Sequence, residues 1–198
     1  MVGIALVFAA DNPAADRDSL LTVEAVKEGW WYAALLNSGR LVAVYMSDAD
    51  LISARRMQSV GQWMEALSET HIIGERILSY KYRVAEQALV LNSSSSMCSM
   101  AGGAWLSIGD AAATYDPLSS YGITGALNSG MRAAQAILAA RQRALEEYKL
   151  RMQDTYADYL ARRAAYYRME RRWPNSVFWR RRHALPGKLR ISDDGHRH

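Results

Sequence analysis

The chain has 198 residues, half of them apolar and 22% charged, enough for one large domain or two small ones and too apolar for a disordered polymer. Its single cysteine, Cys98, excludes an internal disulfide framework and a cysteine zinc cluster, and points to a reducing, cytoplasmic setting. The net charge of +4 is uneven: residues 141–198 carry 15 Lys/Arg against 7 Asp/Glu, residues 1–140 carry 9 against 13. A basic segment suits nucleic acid, an anionic membrane or an acidic partner, but a solvated, arginine-rich helix face is the plainer expectation.

In chain order, residues 1–10 form the longest apolar opening, about half the roughly 20 residues of a membrane-spanning helix. No basic segment precedes it as in a signal peptide. Val2, Ile4, Leu6 and Phe8 alternate with smaller residues, which predicts a strand. A chain opening directly on a strand suggests the interior of a larger fold. Residues 11–18 read as a loop and residues 19–27 as a short helical turn. Residues 30–36 and 41–46 are rich in aromatic and β-branched side chains, and Asn37-Ser38-Gly39-Arg40 between them predicts a hairpin, with Gly39 supplying the positive φ. Ser47 or Asp48 then caps a helix whose apolar residues include Leu51, Met57, Val60, Trp63, Met64 and Leu67. Residues 72–78 fit helix or strand. Tyr80, Tyr82 and Val84 alternate like a strand, residues 88–91 continue extended, and residues 93–96 form a polar loop.

Residues 104–108 are a short apolar run ending at Gly109-Asp110. A loop containing Asp116-Pro117 follows, and a helix begins at Gly122. Ile123, Ala126, Leu127, Gly130, Met131, Ala134, Ile137 and Leu138 make an amphipathic stripe whose small residues suit close packing on a sheet. A second stripe, Leu145, Tyr148, Met152, Tyr156, Tyr159, Arg163 and Tyr166, predicts a helix or helical hairpin ending near Trp173-Pro174. The tail from Gly187 reads as loose, and His196-Arg197-His198 gives no metal site. Overall the pattern is α+β: a mainly antiparallel sheet in residues 1–100, a strand–loop–helix unit in 101–145, and a basic helical region in 146–198.

The Gly109-Asp110 step carries the most chemistry. A strand ending in Gly-Asp sets a carboxylate at the ligand-binding edge of a sheet, where it accepts hydrogen bonds from hydroxyls such as a ribityl chain. Gly109 permits close approach. The helix start at Gly122-Ile123 offers free N–H groups and the positive dipole end to an electron-rich ligand atom. Equally open on local grounds, Asp110 caps a turn and Pro117 merely shapes a loop.

The stretch WLSIGDAAATYDPLSSYGITGALNSGMRAA, residues 105–134, resembles the second flavin-binding motif of FAD-dependent monooxygenases, closest to the tryptophan-halogenase-like branch. That branch includes flavoproteins that mature quinone-cofactor enzymes. The resemblance implies FAD as cofactor, with Gly109 and Asp110 at the ribityl chain and Pro117, Gly122 and Ile123 lining the ring. Ser120-Tyr121 departs from the small or amide residues usual before that glycine. Residues 29–32 with the hairpin resemble the branch's substrate-domain sheet, which makes Trp30 and Tyr32 candidate substrate contacts. Packing on the sheet serves equally for both. Residues 166–173 and 178–182 resemble its C-terminal helices. True tryptophan halogenases carry Trp-x-Trp-x-Ile-Pro near the stretch matched by residues 29–32; here residues 30–36 hold no proline, which favours oxygenation or oxidation over halogenation.

The family's first motif, Gly-x-Gly-x-x-Gly, does not occur in this sequence. The resemblance therefore implies the C-terminal half of an FAD-dependent oxidoreductase that oxygenates an aromatic substrate, such as a peptide-borne tryptophan, with a flavin reductase as partner. No catalytic residue is assigned. Rival readings are a non-catalytic remnant or binding module that does not hold FAD alone, a halogenase, and a basic interaction module. Specific nucleic-acid and membrane partners are not expected. Cys98 reads as an inert thiol, and His71 and His183 as surface or packing residues.

Overall fold

The computed structural model describes residues 1–86, 89–102, 105–139 and 142–184. These form two compact units: Met1–Ser93 with Glu170–Arg181, and Ser94–Met169 with the described residues from Arg182.

The first unit is built on an antiparallel sheet. Its strands are β1 (Val2–Ala9), β2 (Thr22–Val26), β3 (Gly29–Leu35), β4 (Leu41–Ser47), β5 (Arg83–Val84) and β6 (Leu89–Asn92). The order is β2-β3-β4-β1-β5, and β6 also pairs with β1. Period-two alternation sends Ile4, Leu6 and Phe8 of β1, Trp31 and Ala33 of β3, and Leu41, Ala43 and Tyr45 of β4 into one buried core. Helices α1 (Ala49–Ala54), α2 (Val60–Leu67) and α3 (Ile72–Ser79) contribute Ile52, Trp63, Leu67, Ile73 and Ile77 to that core. Trp63 Nε1 donates to the Ile4 carbonyl at 2.9 Å, so its polar atom is satisfied inside the apolar core. The hairpin turn is as expected, with Gly39 at φ +75°.

Two expectations need correction, and one open choice is resolved. Residues 22–26 are strand β2, not a helical turn: their β-branched residues pair with β3 over the full register, and the tertiary ladder overrides local propensity. The ambiguous residues 72–78 lie in helix α3, whose first N–H groups are capped by a side chain from β2. Glu24 accepts from the backbone of His71 at 2.5 Å and of Ile72 and Ile73 at 3.1 Å. Asp48 sits at the N-cap of α1 but makes no capping bond; its carboxylate accepts from Arg181 at 2.8 Å.

The loop before β2 is tied down by a buried cluster. Arg76 donates to Asp16 at 2.8 and 3.0 Å, and the Tyr82 hydroxyl donates to the same carboxylate at 2.9 Å. The C-terminal residues of this unit dock through Trp179, whose Nε1 donates to the Val26 carbonyl at 2.9 Å.

The second unit is mainly helical. Two two-residue ladders are formed by β7 (Ser96–Met97) with β10 (Ala113–Thr114) and by β8 (Ala101–Gly102) with β9 (Trp105–Leu106); helices α4 (Gly122–Ala139) and α5 (Gln142–Met169) follow. Helix α6 (Val177–His183) belongs to the first unit up to Arg181. The second stripe is one continuous helix, and its Tyr148, Met152, Tyr156 and Tyr159 are buried as their spacing predicts. Helical drift over these turns buries Tyr167 in place of the expected Tyr166. The fold is α+β. Ala88, Ala104 and the tail from Gly187, with its two terminal histidines, lie outside the described residues. Among the described residues no helix is long and apolar enough to cross a membrane.

Candidate functional site

The expected strand into Gly109-Asp110 is shorter than its apolar run. Only Trp105 and Leu106 pair, with Ala101 and Gly102, and no broad sheet edge stands beside Asp110 among the described residues. Ile108 stays extended, and Gly109–Ala111 form a 3₁₀ turn. Gly109 has φ +55°, the left-handed region open to glycine. Its N–H donates to Ser129 Oγ of α4 at 2.8 Å, and Ser129 donates in turn to the Ala126 carbonyl at 2.9 Å. A Cβ on Gly109 would meet the Ala126 Cβ at 3.4 Å, so conformation rather than space demands glycine here.

Asp110 follows this pinned step. It is exposed, caps nothing, and its carboxylate has no hydrogen-bond or ion-pair partner among the described residues. The turn-capping alternative therefore has no bond to rest on.

Asp116-Pro117 opens a second 3₁₀ turn, Pro117–Ser119. Asp116 Oδ1 accepts from the Leu118 N–H at 3.0 Å, and Pro117 sits where its missing N–H is not needed. Asp116 itself is buried. The Tyr167 hydroxyl donates to Oδ2 at 2.7 Å, and the Asp116 N–H donates to the Tyr159 hydroxyl at 2.7 Å. Burial pushes the Asp116 carboxyl above the usual aspartate range, against the hydrogen bonds from Tyr167 and Leu118 and the charges of Arg163 and Arg182. Sequence reasoning missed Ser129, Tyr159 and Tyr167, which set the shape of both turns.

Pro117, Gly122 and Ile123 are exposed, and a Cβ on Gly122 would meet nothing within 4 Å. The apolar stripe of α4 does not pack on a sheet among the described residues. Ile123 is 82% and Leu138 84% exposed, while Gly125, Ser129, Ala133 and Ala136 form the buried face. Close approach favours this small-residue face over the bulky one.

Trp30 and Tyr32 lie on one face of β3, their rings 5.9 Å apart. Trp30 is buried and Tyr32 half-buried, so the pair is not an open aromatic wall. Cys98 is exposed, its N–H bonded to the Ala112 carbonyl. His183 Nε2 lies 3.0 Å from the Tyr167 carbonyl. No group of three metal-ligating side chains occurs among the described residues.

The fold built by these elements is that of flavin-dependent halogenase-like proteins. The flavin-dependent halogenase CmlS superposes with a TM-score of 0.77 at 20% identity, over 98% of this chain and 36% of its own. QhpG, a peptidyl tryptophan dihydroxylase essential for tryptophylquinone cofactor biogenesis, superposes with a TM-score of 0.76 at 21% identity, over 96% of this chain and 44% of its own. In sequence the chain is 31% identical over 164 residues to LodB of Marinomonas mediterranea, which bears the name of an FAD-dependent oxidoreductase. That match covers 82% of this chain and 44% of LodB, so the chain spans less than half of each of these proteins. No protein-family model matches. The resemblance stated for residues 105–134 is borne out at the level of likeness: the chain is similar in sequence to an FAD-dependent oxidoreductase and shares the fold of a flavin-dependent halogenase and of QhpG.

Proposed function

We propose that this chain supplies the ribityl- and ring-contacting side of an FAD site, in an oxidoreductase that oxygenates an aromatic substrate. The observation that carries this reading is Asp110, an exposed carboxylate with no partner among the described residues, held next to a left-handed glycine pinned to α4. The surroundings fit such a group. Gly122 leaves open space at the start of α4, and the first-turn N–H groups of an 18-residue helix face no intrahelical acceptor. When bound, the flavin supplies the redox chemistry. Asp110 accepts hydrogen bonds from ribityl hydroxyls. The α4 N-terminus favours negative charge at the ring's edge, and the buried Asp116 fixes the turn that presents Pro117. QhpG's peptidyl tryptophan makes a peptide-borne tryptophan the favoured substrate class, and the family resemblance of residues 105–134 makes a separate flavin reductase the favoured electron source. Tyr32 is the better placed of the two aromatic candidates, because Trp30 is buried.

The likeness to CmlS supports halogen transfer as a second reading. The absence of proline from residues 30–36 favours oxygen instead.

The test is to fuse the chain to a relative's half bearing the Gly-x-Gly-x-x-Gly motif and titrate flavin by fluorescence quenching. Charge-assisted hydrogen bonds are worth about 1.5–3 kcal/mol each, so Asp110→Ala should weaken FAD roughly ten- to a hundredfold. The flavin-free melting temperature should hold, and Asp110→Asn should lose less because its amide oxygen still accepts. Unchanged affinity in Asp110→Ala refutes the assignment. Product masses with and without bromide separate oxygen from halogen transfer.

A further inference from the structure

The second unit holds a cavity of about 310 Å³ that the flavin contacts above do not use. One side is the turn after Pro117, with Leu118, Ser119 and Tyr121; the other is α5, with Tyr159, Arg163 and Tyr166. Its volume is at the lower end of those that take small organic ligands. Its wall is aromatic. Tyr159 and Tyr121 each pack edge-on against Tyr115 with ring centroids 4.9 Å apart, so the tyrosine surface is fixed by its own packing.

The charged groups at this cavity are under-used. Arg163 donates through Nη1 to Ser95 Oγ, and its guanidinium lies 5.7 Å from the Tyr159 ring centroid. Its Nε, however, is buried and has no acceptor among the described residues. A buried donor without a partner is costly, so a ligand that brings an acceptor to it gains a hydrogen bond the protein does not supply. Arg162, one residue away, also lines the cavity and makes no ion pair or hydrogen bond among the described residues. Asp158, one turn earlier, lines it too, so two guanidinium groups face one carboxylate and the balance is positive.

We infer that this cavity binds a planar aromatic ligand bearing a carboxylate, with the ring against Tyr121, Tyr159 and Tyr166 and the carboxylate on Arg162 and the free Nε of Arg163. Guanidinium forks match carboxylates in shape as well as charge. Because Leu118 and Ser119 belong to the Pro117 turn and Tyr121 precedes Gly122, the cavity adjoins the segment given to the flavin ring. That this ligand is the substrate rests on the proposed flavin reading; that it binds does not.

The test uses the flavin-free chain at full length, so a failure of flavin binding leaves it intact. Indole-3-acetate is titrated by calorimetry beside indole, which lacks the carboxylate. N-acetyl-Glu-Trp-amide, with carboxylate and ring on one peptide, distinguishes a peptide source from a small molecule. At least one carboxylate probe should bind saturably and about tenfold more tightly than indole. Arg162→Gln and Tyr166→Ala change exposed residues and should each weaken it severalfold without shifting the melting temperature. Arg163→Lys keeps the charge but removes Nε, and should weaken it about tenfold. No saturable binding of either probe overturns the inference, as does equal binding of indole or affinity unchanged in all three variants.

Discussion

At the scale of single residues, Asp116 is the most constrained group of the candidate site. It is buried, accepts from Tyr167 and from the Leu118 N–H, and has its carboxyl raised above the usual range by burial. Asp116→Ala leaves a buried hydroxyl and an N–H unmet, a loss of about 1–3 kcal/mol in urea unfolding. Asp116→Asn keeps an acceptor and should lose less. The raised pKa sets the sign of the pH effect. The folded state holds this proton more tightly than the unfolded one, so the contribution to stability declines as pH rises from the ordinary aspartate range through the folded value. Asp116→Asn should remove that slope, and urea melts between pH 4 and pH 7 would show whether it does. The chain breaks at Gly109-Asp110 and Asp116-Pro117 were legible in the sequence because they depend on local order, a glycine step with a carboxylate beside it and a proline-opened turn. Ser129, Tyr159 and Tyr167 were not. Each reaches its partner across 20 to 51 residues, and nothing local marks a serine or tyrosine for such a bond.

At the scale of elements, legibility followed the length of the periodic signal. The β1 alternation and the β3–β4 hairpin persist long enough for burial to enforce them, and so does the tyrosine-rich stripe of α5. Strand β2 has five residues and was misread, because its conformation is decided by pairing with β3. The α4 stripe shows a different limit. Periodicity identified the helix, but small residues face the rest of the unit and the bulky ones are exposed. The cap of α3 gives an element-scale prediction. Glu24 puts one carboxylate across three N–H groups at the positive end of a helix dipole. Glu24→Ala should cost about 1–2 kcal/mol in urea unfolding, and Glu24→Gln about half that, since the amide still accepts. Equal stability of Glu24→Ala and the parent chain would show that water replaces the cap.

At the scale of the whole molecule, the α+β class was legible from composition and pattern, whereas the buried Asp16–Arg76–Tyr82 cluster was not, its partners lying 60 and 66 residues apart. Burial alone would raise the Asp16 pKa, but the bonds from Arg76, the Asp18 N–H and Tyr82 outweigh it and hold the carboxyl below the usual range. Its stabilisation is therefore complete above the ordinary aspartate pKa and is lost as pH falls through the lower, folded value. Asp16→Asn should flatten the acid limb of the stability curve, and Asp16→Ala, which strands a buried guanidinium, should cost about 3–5 kcal/mol. The last prediction concerns the chain as a flavin binder. Under the proposed function it offers the ribityl carboxylate and a helix start for the ring, but its sequence lacks the glycine motif that seats a pyrophosphate on a helix N-terminus. Two missing charge-assisted contacts at about 1.5–3 kcal/mol each amount to roughly a hundred- to ten-thousandfold in affinity. The purified chain should bind FAD that much more weakly than the motif-bearing fusion, and should elute colourless from gel filtration. A yellow chain carrying stoichiometric FAD would contradict this, and would mean that the pyrophosphate is seated by residues other than a Gly-x-Gly-x-x-Gly turn.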